Sequence, residues 1–577
     1  MITRSLTLTT WISALTKLFS AGTSQKTTSN ALKNSIYFLP LLVLVSVTII
    51  SLAPFAAKAF NIDEPLFIWV AKHIQSHPLD FYGFRINWYG SEMDAARIIK
   101  NPPLASYYIA LVATLTGWNE IPLHLAFLLP AIAAASGTYF LAREFTRHPL
   151  AATLIGILNP VFIMSGTTVM CDVMMLAFYV WAIFFWVRGT KDDRCRDLFV
   201  AAMLITLCCL TKYFGLSLIP LLFLYTCMSA EGRRQRAAYL LIPIAILCVY
   251  QLGTSIIYGR GLLSDAASYA SREKGLNLAA IVPNIVTGLS FTGGGLISIL
   301  FFAPLVWNRR TILASAVLVP LAAFGLSRLN FSHLPDIPWW GYYLQLSVFV
   351  AAGVNILVLA GHGLWQRKEP DALLLVLWIT GTFFFAAIIN WSVNGRSILP
   401  MAPAAGIVVM RFLENKNGKL WQPGIKQVLM PLSCAWLVCM MVTWADFSLA
   451  ETARIAAQEI GRVHGGSAKP LWFQGHWGFQ YYMEKNGGTA YDRKKTSIQP
   501  GDIMAIPENN TNAFPEIMAQ GTPLQVMQFA PARFLTTMNF AAGAGYYSSG
   551  FGPIPFLVDK APEERYHVVV FPLQHQP

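Results

Sequence analysis

Apolar runs of about 17 to 25 residues, long enough to cross a bilayer as helices, recur from Ile36 to Phe447 and are separated by short polar turns. That alternation predicts a bundle of membrane-spanning helices. From Ala450 onward the pattern changes, with charges, Gly and Pro returning. An amphipathic helix is expected over 449–463, followed by strand-like runs at Lys469–Phe473, Asp502–Pro507 and His567–Phe571. These alternations predict a small soluble α/β domain over 448–577, within the usual domain size. The expected fold is an α-helical polytopic membrane protein with about 13 transmembrane helices over 36–447, a tail over 1–35 before them and the small domain after them.

Composition agrees with this class and limits the partners. The 577 residues are 55% hydrophobic and only 12% charged, against about 25% charged in an ordinary soluble domain. The formal charge of +13 calls for no nucleic acid, because the basic residues sit in short loops where the positive-inside rule places cytoplasmic connections. Such loops stand at Arg143–His148, Arg188–Arg196, Arg233–Arg236, Arg309–Arg310, Arg367–Lys368 and Arg411–Lys419. The N-terminal stretch with Arg4, Lys17, Lys26 and Lys33 lacks acids and a small-residue cleavage site, so it reads as a cytoplasmic tail. The turns around Asp172 and Lys212, at Tyr258–Pro283, Arg328–Pro338 and Asn390–Arg396 then face outward. Parity requires Pro103–Gly117 to be a short interfacial or re-entrant helix within a large first outer loop over 58–120. That loop and the C-terminal domain share the outer face.

Candidate chemistry gathers there. Asp63 and Glu64 stand side by side after the first apolar run, and a carboxylate pair at the mouth of a span is costly to place near lipid unless it serves a function. The loop that follows is rich in aromatics, Trp69, Phe81, Tyr82, Phe84, Trp88 and Tyr89 among them, and ends in Lys100-Asn101-Pro102-Pro103-Leu104-Ala105-Ser106-Tyr107-Tyr108. Such rings suit either a sugar face or an aromatic belt at the membrane surface. Asp172 starts a later span, where its carboxylate serves either as a helix N-cap or as a second site acid. Lys212 and Arg396 bring two cations to the same outer face, either as snorkelling and headgroup anchors or as ligands of a phosphate. Acids and cations at one mouth match a reaction with a phosphate leaving group, which needs a base for the acceptor and positive charge for the departing phosphate. The 8 cysteines lie outside the C-terminal domain and form no CxxC, so neither a disulfide framework nor a zinc site is indicated. No GxGxxG or GxxxxGK[ST] phosphate loop occurs.

The acidic pair after the first span, Asn-Pro-Pro-Leu with tyrosines, an Asp leading a later span, Leu210-Thr211-Lys212-Tyr213-Phe214-Gly215 and Asn394-Gly395-Arg396-Ser397-Ile398-Leu399-Pro400 together resemble the GT-C glycosyltransferases. Within them the likeness is to the protein O-mannosyltransferase and lipid A aminoarabinose transferase group, glycosyltransferase family 39-like, over roughly residues 36 to 413. The resemblance implies transfer of a sugar, with inversion, from a polyprenyl-phosphate donor to a lipid, glycan or protein acceptor. The implied location is the periplasmic side of a bacterial inner membrane. It implies Asp63 as the candidate catalytic acid-loop residue with Glu64 supporting it, Asp172 as the second carboxylate, and Lys212 and Arg396 beside the carrier phosphate. Trp88, Tyr89, Asn101 and Tyr107 fall in the implied substrate loop. One departure is plain: where aminoarabinose transferases carry an acid and a lysine before the proline, this chain has Asn101-Pro102. The metal ligand of those relatives is therefore absent, a divalent metal stays open as the only cofactor, and Lys100, Arg260 or Arg272 stands in for the phosphate lysine. The rival class is a transporter or lipid flippase, against which the acids at one face and the lack of a two-half repeat speak.

Overall fold

The computed structural model describes residues 30–229, 234–274, 278–329, 331, 340–416, 424–466 and 469–572. The expected N-terminal tail up to residue 29, the outer turn over 332–338, and the basic residues Arg233 and Lys419 lie outside the described residues. Among those described, nine helices are long and apolar enough to cross a membrane, or ten when Pro149–Ile157 and Pro160–Gly166 are taken as one bent span. That pair turns by 69°. Asn159, in extended backbone, starts the second segment with Pro160 in its first turn, and a proline there suits a helix start. Three further expected crossings fall on Cys195–Thr211, Leu218–Met228 and Leu278–Gly295, which are helical but stand outside that count.

The ambiguous segment near residue 103 is the helix Leu104–Thr116. At 13 residues it rises only about 20 Å, less than a hydrocarbon core of about 30 Å. It ends at Gly117, whose φ of +79° gives the left-handed stop that glycine allows.

Ion pairs group the loops into two ends. At one, Arg236 pairs with Asp193 at 2.5 Å, Lys191 with Asp371 at 2.8 Å and Arg411 with Glu369 at 3.2 Å, while Glu414 accepts from the Arg147 amide at 2.8 Å. These are the basic loops of the sequence reading. At the other end the first loop packs on the C-terminal domain, where Gly90 O accepts from Arg493 N at 3.0 Å and Asn87 Nδ2 donates to Tyr491 O at 2.9 Å, and on the outer helix Leu262–Lys274, where Lys100 pairs with Asp265 at 2.5 Å.

The C-terminal domain carries a five-stranded sheet in the order Thr489–Ala490, Leu471–Phe473, Ile503–Pro507, Glu564–Val570, Thr522–Phe529. The first three strands are parallel and the last two pairings antiparallel. The three expected strand runs all fall in this sheet, as Leu471–Phe473, Ile503–Pro507 and Glu564–Val570. One expectation differs. The last span and the amphipathic segment are a single helix, Ile425–His464, of 40 residues, about 60 Å long. It passes unbroken through the boundary placed at 448, because no glycine or further proline interrupts 432–460 and Ala450, Ala453, Ala456 and Ala457 keep one face buried.

Within this domain Glu564 is buried and accepts from Asn509 Nδ2 at 2.9 Å and Asn539 Nδ2 at 3.0 Å. Burial outweighs these amides and pushes its pKa up to about 7 from an ordinary 4.5. The folded state thus holds this proton more tightly than the unfolded chain, so the contribution to stability is complete below pH 4.5 and is lost as pH rises through 7. Burial depresses His476 to about 4, an opposite effect within the same range, so the comparison is made between chains that share His476. As pH falls from 7 to 4.5, wild type is expected to gain about 3 kcal/mol over Glu564→Gln. Thermal unfolding of the two proteins across that range checks it.

Candidate functional site

The first acid sits on a strained turn. Ile62 has φ +51°, which is rare for a β-branched residue and costs of order 1–3 kcal/mol unless the surroundings impose it. Here they do. Asn61 N donates to Glu64 Oε2 at 2.5 Å, Phe60 N donates to Tyr482 Oη at 2.9 Å, and Ala59 N donates to Glu451 Oε1 at 3.0 Å. Asp63 precedes the helix Glu64–Ser76, its side chain free of any capping role and 30% exposed.

Glu64 is fully buried and differently employed. Its second oxygen accepts the Val169 N–H at 2.6 Å, and His124 Nε2 lies 3.4 Å away. Burial by itself pushes its pKa up, but the His124 contact, the Lys58 charge and the Val169 N–H together hold the carboxyl below its ordinary value. Glu64 therefore ties the Asp63 turn to the segment that leads into Asp172.

Asp172 is the first residue of the helix Asp172–Asp192 and makes no cap to its own amides. Its Oδ1 meets Lys212 Nζ at 2.5 Å, while its buried Oδ2 has no hydrogen-bond partner among the described residues. Lys212 reaches it from extended backbone directly after the helix Cys195–Thr211. Arg396 arrives from the short helix Gly395–Ile398, which Asn394 caps by accepting from Ser397 N at 2.9 Å. One guanidinium nitrogen donates to Asp63 Oδ2 at 2.8 Å and lies 3.3 Å from Met170 Sδ, two residues before Asp172. Its Nε is buried without a partner among the described residues. The charges of Asp63 and Asp172 both act on this guanidinium, so the four residues picked out at one face form one cluster.

The remaining sequence candidates divide. Lys100 and Arg260 share Asp265, at 2.5 and 3.1 Å, and Lys100 Nζ stands 5.4 Å over the Tyr269 ring. Tyr269 in turn is hydrogen-bonded to Tyr89, and the Asp63 charge acts on both phenols. Tyr89 is 44% exposed. Arg272 is exposed farther along the Leu262–Lys274 helix. Trp88, by contrast, is packed as core, 6.1 Å edge-on to Trp69 and 5.3 Å from His476. The Tyr107 hydroxyl bonds Pro78 O, and Asn101 offers its carbonyl to Tyr82 Oη at 2.5 Å, so both brace the loop.

Sequence reasoning missed a buried trio beneath the cluster. Lys58 Nζ meets Asp446 Oδ2 at 2.6 Å with both side chains wholly inaccessible, and Tyr547 Oη donates to the same oxygen at 2.9 Å. The usable signal was Asp446, an acid inside the last apolar run. Among the described residues no group of three His, Cys, Asp or Glu side chains converges.

The chain thus combines a helical polytopic membrane module that carries the acid–cation cluster with a sheet-bearing C-terminal domain. Residues 100–252 match the model of the dolichyl-phosphate-mannose-protein mannosyltransferase family, which bears out the GT-C resemblance over just over a quarter of the chain. No curated protein matches the sequence. Among solved structures, the apo oligosaccharyltransferase of Archaeoglobus fulgidus is similar over 80% of this chain and 65% of its own, at 11% identity and a TM-score of 0.46. ArnT from Cupriavidus metallidurans bound to undecaprenyl phosphate is similar over 92% and 97%, at 13% identity and a TM-score of 0.40. The arabinofuranosyltransferase AftD from Mycobacteria is similar over 93% and 40%, at 11% identity and a TM-score of 0.40. The chain spans 63% and 65% of the length of the two oligosaccharyltransferase structures it resembles.

Proposed function

We propose that the protein transfers a sugar from a polyprenyl-phosphate donor to a lipid, glycan or protein acceptor at the outer, periplasmic face of a bacterial inner membrane. The observation that carries this is the cluster of Asp63, Asp172, Lys212 and Arg396, in which a buried guanidinium keeps an unpartnered Nε. A donor phosphate fits it, because guanidinium grips phosphate through two parallel hydrogen bonds and Lys212 adds a point charge. In the reaction the acceptor hydroxyl attacks the anomeric carbon and the carbon–oxygen bond to the phosphate breaks. The bond's electrons leave on the phosphate, where Arg396 and Lys212 neutralise them, and Asp63 takes the acceptor's proton. The ion pair of Asp63 with Arg396 gives the steps an order. While the 2.8 Å contact stands, Asp63 Oδ2 is occupied by the guanidinium. A phosphate that takes the unpartnered Nε edge, with the guanidinium where it lies, shares its positive charge and loosens its hold on Asp63, so donor binding precedes acceptor activation.

The test is turnover by the purified protein with a polyprenyl-phosphate-linked sugar, read as released polyprenyl phosphate. Arg396→Lys loses the forked donor, and Lys212→Ala loses the cation beside Asp172. A hydrogen bond to a charged group is worth about 1.5–3 kcal/mol, so each change is expected to lower kcat/KM about 10- to 100-fold. Wild-type kinetics in both variants would mean that the two cations only anchor lipid.

A further inference from the structure

The segment 546–549 belongs by sequence to the C-terminal domain, yet it is bonded to the loop that carries Arg396. Gly395 N donates to Tyr546 O at 2.8 Å, Ser549 N donates to Val393 O at 2.8 Å, and the hydroxyls of Ser392 and Ser548 are 2.8 Å apart. The approach is so close that a Cβ at position 395 would come within 2.5 Å of the Tyr546 ring. The neighbouring Tyr547 ring lies 5.7 Å from the Arg396 guanidinium carbon, within the range of a cation–π contact. Its hydroxyl is held in turn by the wholly buried Asp446, which Lys58 neutralises. The ring cannot swing away without leaving a buried carboxylate with one partner fewer, a cost at least comparable with what the contact itself yields.

We infer that Tyr547 is a positioning residue for the donor-phosphate site: its ring, fixed through Asp446 and Lys58, holds the Arg396 guanidinium toward Asp63 and Met170, so the C-terminal domain completes the site. The inference rests on the reading of Arg396 as a phosphate ligand. Arginine has several freely turning side-chain bonds, and a ring against one face removes much of that freedom before the ligand arrives. The Lys58–Asp446 pair explains how a loop from a separate domain keeps its place at a membrane surface.

Binding of a polyprenyl phosphate to the purified full-length chain in detergent, with donor KM and kcat measured alongside, tests it on Tyr547→Leu, Tyr547→Phe and Arg396→Ala. Tyr547→Leu is expected to weaken binding and raise donor KM about two- to thirtyfold, the span of a cation–π contact. Tyr547→Phe, which keeps the ring but lacks the hydroxyl that Asp446 holds, is expected to fall between wild type and Tyr547→Leu. If Tyr547→Leu does not fold, Tyr547→Met, which fills the space without a ring, takes its place. Wild-type binding in the Leu or Met variant overturns the inference, and so does a Phe variant as impaired as they are, since the loss would then follow the hydroxyl. Should Arg396→Ala bind polyprenyl phosphate as wild type does, the phosphate reading of the site fails first.

Discussion

Asp63→Asn is expected to lower the rate of sugar transfer by about 10² to 10⁴ while leaving the protein folded and membrane-inserted. The change keeps the volume and hydrogen-bonding shape of the side chain and removes its charge and basicity. The turn that presents it is set by Asn61, Ile62 and Glu64 and not by the Asp63 carboxylate, which is why the fold should tolerate the change. Polyprenyl phosphate binding should be retained or tightened, because Arg396 loses a competing anion. The measurement is single-turnover transfer beside phosphate binding in the same preparation. Near-wild-type transfer would remove Asp63 from the chemistry and move attention to Asp172, whose Oδ2 is unpartnered.

Lys58→Met is expected to destabilise the protein by about 3–5 kcal/mol, the usual cost of stranding one charge of a buried pair. Asp446 would keep only the Tyr547 hydroxyl, with its other oxygen already unpartnered among the described residues. Lys58→Met combined with Asp446→Leu removes both charges at similar volume and should regain most of that stability, since a buried ion pair against an apolar pair is often neutral. Survival of monodisperse protein after graded heating in detergent reads both variants. If the single variant matches wild type, the pair does not hold the first loop to the last helix. The double variant carries a second expectation, reduced donor binding in a stable protein, because Tyr547 loses its anchor.

Much of the site was legible because charge is rare in this chain. Asp63, Asp172, Lys212 and Arg396 each stood out against apolar surroundings, and sidedness alone placed them together. Their pairing was not legible: Arg396 with Asp63 spans 333 positions, and no periodicity encodes which cation meets which acid. Lys58 and Asp446, 388 apart, were lost differently, Lys58 reading as an ordinary charge beyond the end of a span and Asp446 passing unremarked inside the last apolar run. Trp88 shows the converse, since an aromatic in a polar loop looks exposed until a second domain covers it with His476. Three of the five strands of the sheet were readable from short apolar runs, while Thr489–Ala490 and Thr522–Phe529 were not. The unbroken helix Ile425–His464 was not, because a change of composition at 448 resembles a boundary while backbone geometry responds only to the absence of breakers.

That helix gives the C-terminal domain a fixed phase. A rod leads from the membrane into the domain, so its angular setting about the axis is written residue by residue into the helix. Inserting one residue between 447 and 464 would turn everything beyond it by about 100° and push it out by about 1.5 Å. Inserting seven would nearly restore the angle but lift the domain by about 10 Å, carrying 546–549 off the loop at 392–397. Length variation in relatives that keep this arrangement should therefore be excluded from this stretch and confined to the loops of the domain itself, and a chimaera joined here would need both angle and height preserved.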